Sequence, residues 1–285
     1  MTKKLLLICS AAVLLLSLTA GVNADPLTLG PASGFTVLGI SSVTINNTNQ
    51  FAVRGNVGVG GGNGALQKGT VDGNVVIGSG ANPSISGKDF VVSGSITRGA
   101  DLSSAINAAF ATSRTAAGLA ATQRFTNIAS DLTIGGNGGR NVINVNSINL
   151  NGANLTLSGG ANDVFIINIT GDFQLSHAQI LLQGVSLNNV LFNVIGTGST
   201  VDFHKADTAV FGTVLAPNRD LIVDNAGLVV HGAIIANNIT IHSGGQVRGA
   251  NPVPEPTTLL LLGTGLAGVA AKLRKRRNKK ISTEV

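Results

Sequence analysis

"NVVIGSGANPSISGKDFVVSGSI", residues 74–96, holds two short apolar runs, Val75-Val76-Ile77 and Phe90-Val91-Val92, each closed at once by Gly or Ser. β-Branched residues suit a pleated, half-buried surface, and the small residues end each run before a helix could form. The same unit returns as "DLTIGG" (131–136), "NLTLSGG" (154–160), "DVFIINITG" (163–171), "DLIVDNAG" (220–227) and "NITIHSGG" (238–245). Strand starts recur at long intervals, sixteen from Val75 to Val91 and eighteen from Leu221 to Ile239. That is about the length of a rung made of three short strands and three turns, so the pattern predicts a mainly β chain built as a β-solenoid, a parallel β-helix. A β-sandwich is the competing fold, but it would turn every ~8–12 residues with cleaner alternation.

One segment departs from this pattern. "DLSSAINAAFATSRTAAGLAATQR", residues 101–124, is rich in Ala, lacks Pro and places Leu102, Ile106, Ala109, Phe110, Ala117 and Ala120 on one helical face. Asp101 is positioned to cap it, and Gly118 would cost its interior about 1 kcal/mol. Its small residues predict a helix lying flat along a solenoid wall.

The formal charge of +6 is concentrated at the ends. Lys3 and Lys4 precede the body and seven Lys/Arg follow residue 271, which leaves residues 25–270 with ten basic and twelve acidic residues, about −2. No basic face remains for a phosphate backbone, and a chain without Trp or Tyr offers few stacking platforms, so nucleic acid is excluded as a partner.

Residues 1–24 read as a signal peptide: two lysines, an apolar run from Leu5 to Leu18, then Val22-Asn23-Ala24, with cleavage expected between Ala24 and Asp25. The only cysteine, Cys9, lies inside this segment, so the body, residues 25–250, has no disulfide or thiolate site. At the other end, Val253-Pro254-Glu255-Pro256 is followed by an apolar span over residues 257–271 and a basic tail over residues 272–280 that includes Arg274, Lys275, Arg276 and Arg277. The span falls short of the ~20 residues a stable transmembrane helix needs, and the basic cluster keeps the tail cytoplasmic. Tripeptide, span and basic tail in this order resemble the PEP-CTERM sorting signal of Gram-negative bacteria. The resemblance implies an exported protein held in the inner membrane as a precursor. An exosortase-type sorting enzyme would then pass it to the cell surface or extracellular matrix. The alternative is a plain membrane anchor that is never processed.

Strands, one long helix and more strands resemble the ice-binding type of β-solenoid. "NNVLFNVIGTGSTVDF", "FGTVLAPNRDLIV" and "VVHGAIIANNITI" resemble the choice-of-anchor A domain, a surface-adhesin domain related to that fold. These likenesses imply an adhesive or structural protein whose walls contact polysaccharide or another surface. They supply no catalytic residue.

Two other functions place specific demands on the residues. Ice binding needs Thr in closely spaced ranks, whereas Thr44, Thr133, Thr156 and Thr240 each stand singly between apolar neighbours. A polysaccharide-acting β-helix enzyme needs paired carboxylates in a groove, and the nearest candidate is "VDFHKAD", where Asp202 and His204 share a strand face. His177, His204, His231 and His242 show no metal-ligand spacing. The loops "GGGNGAL" (60–66) and "GGNGGRN" (135–141) put Leu66 and Arg140 where a calcium-binding nonapeptide requires a carboxylate. The residues therefore point to no cofactor, no metal and no catalytic set.

Overall fold

The computed structural model describes residues 28–47 and 51–249. Among these, 23 strands pair in parallel and wind about nine turns of a β-solenoid with a single α-helix at its side. A representative rung is Thr213–Ala216, Leu221–Asp224 and Val229–His231, one strand on each of three walls. Alternate residues point inward and meet like residues above and below. Val57, Val37, Ile234, Val214 and Phe192 form one such stack, all fully buried.

Rung length is less uniform than the sequence spacing suggested. Leu221 does stand opposite Ile239, eighteen positions on. Val75, however, pairs with Ile96, and Val91 pairs with Thr70, so Val75 and Val91 lie on different walls and sixteen residues do not make a rung. Rungs lengthen to 25 residues where Ile167 meets Phe192 and to 30 where Gln179 meets Ala209. The wider turns need more filling, and the largest buried side chains, Phe165, Phe173, Phe192 and Phe203, all fall in that half. Phe173 sits 5.4 Å from Phe192 and 5.0 Å from Phe203, ring centre to ring centre.

The order of rungs in space is not their order along the chain. The strand Ile234–His242, though late in the chain, lies in the middle of the column. Val37–Asn46 is laid against it, from Val37 opposite Ile234 to Asn46 opposite His242. Val53–Arg54 continues the next wall on Gln246–Arg248. Side chains reinforce the junction: Ser41 Oγ donates to Asn237 Oδ1 (2.9 Å), Ser42 Oγ to Asn238 Oδ1 (2.7 Å) and Asn47 Nδ2 to the Gly245 carbonyl (2.6 Å). The edges of the column are instead Ile96–Ala100, which pairs only with Val75–Gly78, and Gln123–Ile128, which pairs only with Arg140–Asn151.

The helix joins those two edges. It spans Ser103–Ala117, shorter than the 101–124 expected, because Gln123–Ile128 pairs as a strand with Arg140–Asn151 and tertiary pairing overrides the helix propensity of its residues. Asp101 lies one residue before the N-cap, where its carboxylate accepts the Ser103 N–H (2.9 Å). Gly118 is the C-cap, so it costs the helix interior nothing. The buried face is Ala105, Ala109, Thr112, Ser113 and Ala116, rotated from the predicted one, of which only Leu102 and Ala109 are buried. These small residues pack on Leu38, Ile235, Leu215, Leu191 and Ile166, one from each of five successive rungs. Below them an asparagine ladder takes over. Asn193 Nδ2 donates to the Ser113 carbonyl (3.0 Å) and Asn168 Nδ2 to the Ala116 carbonyl (2.9 Å), satisfying carbonyls near the helix's C-terminus.

The "GGNGGRN" loop has a structural use. Asp163, 3% exposed, accepts N–H groups from Gly138 (2.8 Å), Gly139 (3.1 Å) and Gly160 (2.7 Å) and the side chain of Asn141 (3.0 Å). A Cβ on Gly136 would stand 2.5 Å from its carboxylate, so only glycine lets the loop close around it. Burial pushes the Asp163 carboxyl up, the four hydrogen bonds pull it down, and the net direction is downward. The stabilisation is therefore complete above the unfolded carboxyl value of about 3.9 and is lost as pH falls through the lower folded value. Asp163→Asn is expected to cost about 1.5–3 kcal/mol at neutral pH. Melting curves from pH 2 to 7 should show the variant's deficit shrinking below pH 4, and a constant deficit would refute the assignment.

Candidate functional site

Three walls are available for contact, and the helix covers much of one. The second wall presents a polar row, Asn46, His242, Asp224, His204 and Ser176, one residue per rung. His242 Nδ1 lies 3.0 Å from Asp224 Oδ1. His204 Nδ1 lies 3.3 Å from Asp202 Oδ2, but out of line for a hydrogen bond. Asp202 and His204 do share an outward face as the sequence indicated. Ser176 stands beside His204 in the ladder.

The threonines are less solitary than they look in sequence. Thr44 stands opposite Thr240 on this wall, and Thr133 opposite Thr156 on the third. Each rank ends after two rungs, with Ile222 following Thr240 and Leu181 following Thr156.

The third wall carries a row that no sequence motif announced. Val210-Phe211-Gly212, Val230-His231-Gly232, Val247-Arg248-Gly249, Val53-Arg54-Gly55 and Val71-Asp72-Gly73 repeat one tripeptide, Val-x-Gly, on five adjacent rungs. Each Val points inward and is fully buried, and each middle residue points out. The glycine turns the corner: Gly232 has φ +138° and would place a Cβ 2.1 Å from the Gly212 carbonyl oxygen. The outward row is thus Phe211, His231, Arg248, Arg54 and Asp72. Phe211 and His231 stack with centres 4.4 Å apart and planes 8° from parallel. Burial, and then the charge of Arg248, depress the His231 pKa below its ordinary value, so this ring is neutral at neutral pH. Arg54 Cζ lies 5.0 Å from the centre of the Phe51 ring, and Arg248 donates Nε and Nη2 to Gln246 Oε1 (3.1 and 2.8 Å). The repeat could have been found as Val-x-Gly, but its members are spread from residue 53 to residue 249 and become neighbours only through the mid-column junction.

The predicted signal-cleavage pair, Ala24 and Asp25, and the predicted sorting residues, Val253, Pro254, Glu255, Pro256, Arg274, Lys275, Arg276 and Arg277, lie outside the described residues. Among the described residues no helix is long and apolar enough to cross a membrane, and no three His, Cys, Asp or Glu side chains are grouped to hold a metal ion.

No curated protein matches the chain in sequence. Solved structures do match in fold. An ice-binding protein from an Antarctic biological consortium is 20% identical with a TM-score of 0.58, covering 78% of this chain and 90% of that one. An ice-binding protein from an Arctic yeast is 16% identical with a TM-score of 0.57, covering 82% and 97%. The ice-binding protein domain of Shewanella frigidimarina is 17% identical with a TM-score of 0.56, covering 80% and 99%. Residues 252–277 match the PEP-CTERM protein-sorting motif, which makes this an exported protein recognised by an exosortase-type sorting system. The adhesive-domain model covers residues 25–249, the whole of the described column, and the chain accordingly belongs to the ice-binding-like adhesive domain family.

Proposed function

We propose that the protein is a non-enzymatic adhesive or structural component of the cell surface or extracellular matrix. In this reading exosortase-type processing releases it from the inner membrane, and it makes contact through its solenoid walls. The observation that carries this reading is the position of the sorting motif, residues 252–277, directly behind an adhesive domain at residues 25–249. The similarities in family and fold are to adhesive and ice-binding domains rather than to enzymes. Polysaccharide is the favoured ligand class because the uncovered walls present Asn, Ser, His, Asp and Arg in rows along the column.

Replacing Pro254, Glu255 and Pro256 together by alanine is expected to leave export through cleavage after Ala24 intact. It should also strand the protein in the inner membrane, read by fractionation and surface labelling. Equal display of variant and wild type would make the C-terminal segment a plain anchor.

Ice binding is the second reading, favoured by the solved structures of similar fold. Against it stand the two-rung threonine ranks and the charged or bulky residues that interrupt both open walls. The full chain is expected to show no thermal hysteresis or inhibition of ice recrystallisation at micromolar concentration. Activity in either assay would reverse the order of the two readings.

A further inference from the structure

Within the adhesive reading, on which this inference rests, the Val-x-Gly row differs from the rest of the surface. Arg54 and Arg248 occupy the same outward position on adjacent rungs, about 4.8 Å apart along the column. Among the described residues no carboxylate lies within 4.0 Å of either guanidinium, the close carboxylate contacts being those of the two histidines on the other wall. Asp72, next in the row beyond Arg54, is engaged by Ser93 Oγ at 3.0 Å.

Each arginine is held flat by a neighbour and keeps donors to spare. Arg248 uses Nε and one Nη on Gln246, while Arg54 lies over the Phe51 ring, which is 37% exposed. A guanidinium has five N–H donors arranged to grip a carboxylate or sulfate with two parallel bonds. Below the arginines, His231 and Phe211 continue the row as two stacked planar rings. An extended pyranose chain combines the same two features. It has apolar C–H groups that pack against ring edges, acidic groups that recur once per sugar or per pair of sugars, and a unit length close to the rung repeat.

We propose that the strip Phe211, His231, Arg248, Arg54, with Phe51 beside it, is a binding site for an acidic polysaccharide lying along the solenoid axis. The carboxylates or sulfates of the chain meet the two arginines and its C–H groups meet the outward edges of the rings.

The test uses the full chain purified in detergent, with alginate, dextran sulfate, neutral dextran and double-stranded DNA as probes. Four proteins are compared: wild type, Arg54→Ser/Arg248→Ser, Phe211→Ser, and a control, Arg124→Ser/Lys205→Ser, that loses the same charge from exposed positions elsewhere. All four keep the basic tail, so differences between them report the strip. Alginate or dextran sulfate should bind wild type and control within twofold of each other. The double arginine variant should bind at least tenfold more weakly, Phe211→Ser should be intermediate, and neutral dextran should not bind. Arg54 is exposed, so Arg54→Ser alone serves as the variant safest for folding, with an expected loss of threefold or more at unchanged melting temperature. Equal loss in the control, DNA binding as tight as that of the acidic glycans, or no loss in the arginine variants would overturn the site. Cell adhesion separates the two claims. If deleting the protein abolishes adhesion while the arginine variants retain it, the site is wrong and the adhesive reading stands. If deletion changes nothing, the adhesive reading itself fails.

Discussion

A chain stopped at Asn225 is expected not to fold, and to be recovered as aggregate with no cooperative melt. In a solenoid that begins at one end and finishes at the other, such a cut would trim terminal rungs and leave the remainder standing. Here it removes Ile234–His242 and Gln246–Arg248, the rung that lies between the two halves of the column. Val37–Asn46 would lose its partner along eight registered positions, and Val214, Leu221 and Val223, all fully buried, would face an open gap. Both new edges would present unpaired backbone and an apolar interior, the condition that drives edge-to-edge association. A chain stopped at Ala250 is expected to remain soluble and monomeric by size exclusion, because it retains that rung. Point changes should follow the same geography. Ile239→Ser, fully buried at mid-column, should cost several kcal/mol. Ile96→Ser, on an edge strand and 43% exposed, should stay within about 0.5 kcal/mol. A soluble, cooperatively melting chain ending at Asn225 would refute this assembly.

The second large effect is expected at Arg219. Its side chain is 2% exposed and threads the corners of successive rungs. It donates Nε to the Gly196 carbonyl (3.3 Å), Nη1 to Ser199 (2.8 Å), and Nη2 to Thr170 (3.1 Å) and Ile195 (3.3 Å). Burial lowers its pKa and the charge of Asp172 partly opposes this, but a guanidinium stays charged in a folded protein. The four carbonyls belong to turns where strand pairing has ceased, so the arginine supplies the donors that the ladder no longer provides. Arg219→Met fills a similar volume and leaves these acceptors without a partner. It should cost about 3–5 kcal/mol, or about 10 °C in Tm for a domain of this size. Arg219→Lys retains the charge but not the planar fork, and should fall between the two. A change of under 2 °C for Arg219→Met would mean that solvent satisfies these corners.

These two sites mark the limit of what could be read from the residues in order. The strand units were legible because each is local: "NLTLSGG" alternates and stops, and Leu155 and Leu157 are indeed buried. The sorting motif was legible because it is contiguous. The position of the C-terminal rung was not, since Val37 and Ile234 stand nearly two hundred positions apart and Val-rich strands could satisfy any of several parallel registers. The side chains that reinforce this pairing at the corners, Ser41 and Ser42 with Asn237 and Asn238, look like ordinary turn composition in sequence. The helix face was misjudged for a related reason. Ile106 and Phe110 are the apolar residues that periodicity favours, but the wall admits close approach only to the smaller residues Ala105, Ala109, Thr112, Ser113 and Ala116. The row of Phe211, His231, Arg248 and Arg54 depends on rung length as well as on the mid-column junction, and neither is written in any one segment.

The junction also governs how the molecule bears load. Gly249 lies against Thr36, where an added Cβ would come within 2.5 Å of the Thr36 hydroxyl, so tension drawn through residue 249 enters the column at its waist. The last strand among the described residues, Gln246–Arg248, is gripped by Val229–His231 on one side and Val53–Arg54 on the other. Traction has no free rung to unzip. It must shear one strand out from between two others, rupturing both ladders together, so the force the protein withstands is set by its middle and not by its exposed edges.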